Sequence, residues 1–423
     1  MSRMSLIGCA VCAWVCVSLA SQASAGLGDP LAKLFASDPT PHVNFGDVAA
    51  ICGDNIIVGT YDTDEAGKYT GAAYLFDAAS GQEIAKLSAS DAAAYDYFAM
   101  SVAVNDSIAI VGAPHKDLYL YGGWQNNAGA VYVFDQATGQ EISKLTASDA
   151  NAGYCFGASV ALEGTTAIVG SPWNNTAYVI DISTEQEVGR LMPGDPGAMG
   201  EFGHSSALSG STAIVGDPWD EHAGFMSGSA YLFDLNTGQQ IAKLTASDAA
   251  EGDEFGASVA ICGDIAIVGA ENSDQEAEDS GAAYLFDVQT GQEIAKLTMG
   301  SALYGEHFGC SVAIEGDMAV VGASNDRING DYCGAAYVFD ISAGAGRQIA
   351  RLTADPAWSF QSNFGSAVDV SGDRMIVGAR ADSEAALWAG AAYLLEVPEP
   401  TGIILLAVGG VAVLCRRRRP SRP

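Results

Sequence analysis

The chain has 423 residues, with 51 Asp and Glu against 19 Lys and Arg, a net charge of −32 and a pI near 4.1. Between Gly26 and Val397 the balance is 50 acidic to 13 basic side chains, a net of −37. A surface of that sign repels nucleic-acid phosphates and anionic lipid headgroups, which disfavours both as partners. It suits a soluble exported protein, and its carboxylates suit hard divalent cations.

In chain order, residues 1–25 read as a secretory leader. Arg3 supplies the charged start, Leu6–Leu19 the apolar stretch, and Ala23-Ser24-Ala25 the small-residue cleavage site, with Ala23 and Ala25 as its flanking positions. The run Leu6-Ile7-Gly8-Cys9 imitates a lipoprotein box but precedes any full apolar region, so it reads as coincidence. Next, Leu31-Ala32-Lys33-Leu34-Phe35-Ala36-Ser37-Asp38 copies Ile294-Ala295-Lys296-Leu297-Thr298 and its continuation, a piece of a repeat with no repeat in front of it.

Seven units follow. Each begins at a Phe (Phe45, Phe98, Phe156, Phe202, Phe255, Phe308, Phe364), and a Val-Gly pair comes thirteen residues later, at Val58, Val111, Val169, Val215, Val268, Val321 and Val377. That spacing is fixed while the distance between units runs from 46 to 58 residues, as expected of a constant hairpin followed by a variable loop. The fifth unit predicts four strands, Phe255–Cys262, Ile265–Ala270, Gly281–Asp287 and Gln292–Thr298, with tight turns at Gly263-Asp264 and Thr290-Gly291. Four antiparallel strands per unit and seven units predict an all-β, seven-bladed β-propeller over residues 26–397. The small side chains of the first two strands place them innermost, and the Phe is expected to wedge between blades. The seventh unit lacks its fourth strand, so Leu31–Ala36 is expected to pair with the strand of Tyr393 and close the ring.

The repeated order F-G-x-S-V-A, V-G-A and G-A-x-Y-x-F-D resembles the FG-GAP repeat, the unit of the integrin α-subunit propeller, from Phe45 to Val397. The pattern varies at Phe98-Ala99, and the final element is complete at Gly112-Ala113-Pro114. The resemblance implies an extracellular interaction scaffold. After Val397 come Pro398-Glu399-Pro400, an apolar run Thr401–Cys415 and Arg416 to Arg419. Residues 398–423 are similar to the PEP-CTERM sorting tail. That similarity implies transient anchoring in the inner membrane, an exosortase-type processing enzyme as partner, and release to the cell surface or matrix. A permanent single span with a basic cytoplasmic end is the alternative.

In a propeller the loop joining strands two and three and the loop joining successive blades open on one face, and both vary here. The inter-blade loops repeat an Asp (Asp91, Asp149, Asp195, Asp248, Asp355), expected to cap a turn through backbone N–H groups. Acidic loops at Asp62, Asp64 and Glu65, at Asp274, Glu276, Glu278 and Asp279, and at Asn325, Asp326, Asn329 and Asp331 are candidate calcium sites. The first comes nearest to the D-x-D-x-D-G loop of integrin-type repeats, with Ala66 where a third ligand belongs.

Pro172-Trp173 and Pro218-Trp219 occupy one offset in adjacent units. Pro114-His115 matches them in the second, followed by Tyr119, Tyr121 and Trp124. Exposed aromatic faces beside carboxylates commonly hold sugars, so His115, Trp124, Trp173 and Trp219 are candidate glycan contacts; local packing of the blade tops is the alternative. Of the cysteines between Gly26 and Val397, only Cys310 and Cys333 share a unit and form a pair to test. The five histidines (His42, His115, His204, His222, His307) show no metal spacing, and no hydrolase or phosphate-loop motif occurs. The expectation is a non-enzymatic binding protein for extracellular polysaccharide or a surface protein. A purely architectural component is the alternative, and a polysaccharide-active hydrolase or lyase a remote one.

Overall fold

The computed structural model describes residues 30–61, 69–120, 122–195, 200–274, 276–300, 303–328, 330–354 and 361–397. The leader with Ala23 and Ala25, the tail with Pro398, Glu399 and Pro400, and Asp62, Asp64, Glu65, Tyr121, Asn329 and Asp355 lie outside them. Among the described residues no helix is long and apolar enough to cross a membrane.

Seven four-stranded antiparallel sheets follow one another around an axis. Blade 1 is built from Val48–Cys52, Asn55–Thr60, Ala72–Asp77 and Gln82–Leu87. Blade 5 is Ser258–Cys262, Ile265–Ala270, Ala282–Asp287 and Glu293–Leu297, within three residues of the expected bounds. The first strand of each blade lies nearest the axis. The second and third strands are covered on both faces by neighbouring blades, which is why they read as unbroken apolar runs. The fourth strand lies at the rim, and in Gln82–Leu87 its burial alternates.

The core is divided into seven clusters, one per gap between blades, and each holds one repeat Phe. Phe45, for example, sits between Leu394 of blade 7 and Tyr74 and Phe76 of blade 1. All seven Phe are almost wholly buried. The Phe also meets the preceding blade through its backbone, in parallel bridges such as Gly129 with Phe156 and Gly281 with Phe308. A Cβ on Gly281 would lie 2.0 Å from the Phe308 carbonyl oxygen, so only glycine permits this approach. Nearer the axis a serine hydroxyl reaches the next blade in six gaps, as Ser101 Oγ does to the Gly157 carbonyl at 2.8 Å and Ser366 Oγ to Gly46 at 3.1 Å. The gap between blades 1 and 2 has Val48 and Ala99 at these positions, and Ala99 adopts the left-handed region at φ 67°.

The ring closes as expected. Ala32, Lys33 and Leu34 pair with Leu394, Tyr393 and Ala392, so the fourth strand of blade 7 comes from the other end of the chain.

The repeated inter-blade Asp does something other than cap a turn. Asp91 accepts the Tyr132 hydroxyl at 2.6 Å and Lys144 Nζ at 2.7 Å, and Tyr132 and Lys144 face each other across the third and fourth strands. Asp149 holds Tyr178 and Arg190 in the same way, Asp248 holds Tyr284 and Lys296, and Asp38 holds Tyr74 and Lys86. In blades 4, 6 and 7 an Asp from the second-to-third-strand loop takes the tyrosine: Asp220, Asp326 and Asp382. Asp195 then holds Lys243 alone. In every blade the cation lies over the tyrosine ring, 4.9 to 5.9 Å from its centroid. The turn-capping role belongs instead to the Asp ending the third strand, such as Asp135, which accepts Thr138 N at 2.8 Å.

Burial works to raise the Asp38, Asp91 and Asp248 carboxyls, but Lys and Tyr hydrogen bonds outweigh it and hold them below the usual range, Asp91 at about 2. A carboxyl with a depressed native pKa stabilises the fold above its unfolded value, about 3.9, and loses that contribution as pH falls toward the native value. The melting temperature of the propeller should therefore drop between about pH 4 and pH 2. Lys144→Met should lower it at pH 7 and leave it unchanged near pH 2; an equal loss at both values would remove Asp91 from the acid transition.

Candidate functional site

The loop face carries the side chains that differ from blade to blade. At its centre is a cavity of about 640 Å³ whose wall includes the start of the first strand of every blade. Small residues such as Ser101, Ser159 and Ser258 form most of that wall, and His115, Trp173, Glu201 and His204 stand at its mouth.

Trp173 lies on a single 3-10 turn, Pro172–Asn174, which Pro172 starts and Asn175 ends in the left-handed region at φ 52°. Its side chain is 63 % exposed. Trp219 follows Pro218 at the same place in blade 4 and is half-buried. The two rings meet edge to face, 6.2 Å between centroids and 74° between planes. The structure thus joins two residues that the sequence could only place at equal offsets, and it leaves one face of Trp173 to solvent.

Beneath Trp219 is Asp217, where blades 1 and 3 have Thr60 and Ser171. It is 1 % exposed; Oδ1 accepts Glu201 N at 2.7 Å, and Oδ2 is buried with no hydrogen-bond partner among the described residues. Burial pushes the carboxyl up to about 6, the Glu201 amide opposing and Asp220 reinforcing.

His115 joins the central cavity to a second hollow of about 600 Å³ on blade 2, under the hairpin Leu118–Leu120 and Gly123–Gln125. That hairpin carries Tyr119 and Trp124, both more than 60 % exposed and edge to face at 5.5 Å. Burial lowers the His115 pKa, so the ring is neutral at pH 7. Sequence reasoning missed its neighbours. Tyr95, Tyr69, Tyr97 and His115 form a ladder with successive centroids 5.9, 5.2 and 4.5 Å apart. The signal was present in the residue just before each repeat Phe, which changes from unit to unit (Asn44, Tyr97, Cys155, Glu201, Glu254, His307, Asn363).

Among the described residues, Asp274, Glu276, Asn325 and Asp326 of the acidic loops are engaged within the protein. Glu276 accepts Thr298 Oγ1 at 2.8 Å, Asp274 accepts the Asp279 amide at 2.7 Å, and Asn325 Oδ1 accepts Asn363 Nδ2 at 3.1 Å. Asp326 is 3 % exposed and takes Arg351 Nε and Nη2 on its two oxygens at 2.8 and 2.7 Å, with the Tyr337 hydroxyl at 2.6 Å. Expected as a calcium ligand, it is instead the carboxylate of the blade-6 clasp. Asp331 is exposed on a two-residue strand, and Glu278 belongs to the blade-5 loop. No group of three or more His, Cys, Asp or Glu side chains among the described residues is gathered to hold a metal ion. Cys310 and Cys333, the pair to test, are both free thiols. Cys310 Sγ faces the Gly365 carbonyl at 3.5 Å, and burial pushes its pKa up to about 11.

A family model described as FG-GAP repeat matches residues 30–76, 82–134, 140–180, 186–233, 239–286, 292–339 and 347–395. The chain belongs to the FG-GAP repeat family. No curated protein matches it. Each matched FG-GAP segment begins at the rim strand of one blade and ends on the third strand of the next, so the first match starts on the closing strand. The FG-GAP propeller is an interaction or adhesion type of fold, and it is typically non-enzymatic.

A buried carboxyl with a raised native pKa costs stability above that pKa and nothing below its unfolded value. Asp217→Asn should therefore raise stability at pH 8 by about 3 kcal/mol and leave it unchanged near pH 3. A uniform shift across this range would show that packing, not charge, sets the difference.

Proposed function

We propose that this FG-GAP propeller is a non-enzymatic interaction protein of the cell surface or extracellular matrix. Its loop face binds extracellular polysaccharide or a surface protein through Trp173 and Trp219. The observation that carries the reading is their edge-to-face contact across two blades, with Trp173 63 % exposed at the mouth of the central cavity. An indole held by a partner ring and a rigid turn loses little freedom when it stacks on a ligand. His115 and Trp124 extend this aromatic surface onto blade 2. The order of leader, propeller and Pro398-Glu399-Pro400 tail supports export, transient anchoring and processing by an exosortase-type enzyme.

The double variant Trp173→Ala, Trp219→Ala should weaken binding of the propeller to isolated extracellular polysaccharide by about tenfold or more, some 1.4 kcal/mol. Its melting temperature should stay near that of the parent, because Trp173 is exposed and the half-buried Trp219 lies on a loop outside the clusters between blades. Equal retention of both proteins on the polysaccharide would turn the choice toward a purely architectural role.

Calcium at the loop of Asp62, Asp64 and Glu65 belongs to the same proposal, since the loop's carboxylates suit a hard cation. Millimolar calcium should then raise the melting temperature and a chelator reverse it. Asp62→Ala with Asp64→Ala should abolish the difference. A melting curve indifferent to calcium would leave these carboxylates as solvated charge.

A further inference from the structure

A third hollow on the loop face, about 660 Å³, lies across blades 5, 6 and 7 and the start of blade 1. None of the residues expected from sequence to contact a glycan lines it. Its aromatic members are Tyr304, Tyr332 and Trp388, which are 54, 37 and 43 % exposed. Side-chain amides from Asn44, Asn325, Gln361 and Asn363 stand between them.

The aromatic walls are held in place before any ligand arrives. Arg327 stacks on Tyr332, 4.4 Å from guanidinium carbon to ring centroid, and donates to the Tyr332 hydroxyl and, at 3.2 Å, to the Tyr304 carbonyl. It is the one described Lys or Arg with no carboxylate within ion-pairing distance, in a domain where carboxylates outnumber cations several-fold. Its charge is spent on orienting an exposed ring and the loop beside it. On the far wall, the backbone of Trp388 sits in the left-handed region at φ 52°, donates its N–H to Ser383 Oγ at 3.0 Å, and its indole meets His42 edge to face at 5.0 Å. Between the walls, Asn363 Nδ2 is fixed by the Ser324 carbonyl and Asn325 Oδ1, both at 3.1 Å.

We propose that this hollow is a second, separate binding site and that it takes a neutral oligosaccharide. The volume holds about two or three pyranose rings. Flat aromatic faces suit the C–H faces of sugar rings, and amides that both donate and accept suit hydroxyl pairs. The neutrality follows from charge. Arg380, the cation in the lining, is drawn to Asp47 at 3.5 Å, Arg327 is occupied by Tyr332, and Asp279 stands in the wall. Among the described lining residues no Lys or Arg lacks a carboxylate partner, so none is free to compensate a uronate or a sulfate. The site is independent of Trp173 and Trp219, which belong to blades 3 and 4.

The test uses the closed ring, residues 26–397, whose seven blades are complete without leader or tail. Calorimetry and saturation-transfer NMR would be run at millimolar concentration. The probes are neutral trisaccharides of gluco, galacto, manno and N-acetylglucosamino configuration, with a uronate trisaccharide and an uncharged extended peptide as the other arms. At least one neutral trisaccharide should bind. Trp388→Ala or Tyr304→Ala should weaken it tenfold or more, Trp388→Phe should restore much of the loss, and melting temperatures should be unchanged. The Trp173→Ala, Trp219→Ala variant should bind these trisaccharides as well as the parent does. Lack of binding by every neutral trisaccharide overturns the proposal. So does preference for the uronate or the peptide, and so does binding unmoved by Trp388→Ala and Tyr304→Ala. Loss of binding in the Trp173 and Trp219 variant alone would assign the sugar to the earlier site and overturn this one.

Discussion

A backbone contact sets the rest of this molecule. In six blades the glycine that opens the third strand lies against the peptide of the next blade's Phe, closer than any side chain would allow, and in blade 3 Asn175 stands there and accepts the Phe202 amide on Oδ1 at 3.2 Å. That contact seats the Phe ring in the gap between blades and pins the far end of the second-to-third-strand loop. The near end is already fixed by the second strand. A loop tied down at both ends can change in length and sequence without disturbing the sheets, so the ring repeats while its face diversifies. Trp219, Tyr332 and Trp388 stand on such loops, and Trp173 stands on the blade-3 loop that Asn175 ties to Phe202.

The charge of the chain takes on a more particular meaning beside the clasps. Seven of the basic side chains, one per blade, lie over the clasp tyrosines and bind their aspartates. Each tyrosine ring is buried, and its hydroxyl needs an acceptor there; the carboxylate supplies one and the cation balances the carboxylate. The remaining acidic residues lie largely on loops and turns, where water screens them. The net negative charge is therefore largely a property of the surface, with Asp217, Asp253 and Glu306 as carboxyls buried, among the described residues, outside any ion pair.

Most of the fold could be read in the sequence because the repeat samples one structure seven times. A fixed spacing from Phe to Val-Gly marks a hairpin, and the orphan Leu31–Asp38 segment marks the missing strand. The sites were legible only in part. Equal offsets put Trp173 and Trp219 on neighbouring blades, but their contact depends on how the blades incline. Asp326 looked like a cation ligand because Asn325, Asn329 and Asp331 beside it also offer oxygen donors; its partner Arg351 is on the rim strand, twenty-five residues further along the chain. The inter-blade Asp looked like a turn cap because that is its commonest local role, and only the register of Tyr132 against Lys144 shows what it binds. The hollow of Tyr304, Tyr332 and Trp388 draws on four blades, and no local motif spans that much chain.

The closing strand also fixes where the chain leaves the ring. The third strand of blade 7 runs away from the loop face and reaches Val397 on the opposite side. The rim strand beside it runs antiparallel, so Pro30 departs from that same side. Both ends therefore emerge from one blade and one face. A propeller tethered through either end would hang like a dish on a stem, with its aromatic hollows turned outward from the point of attachment.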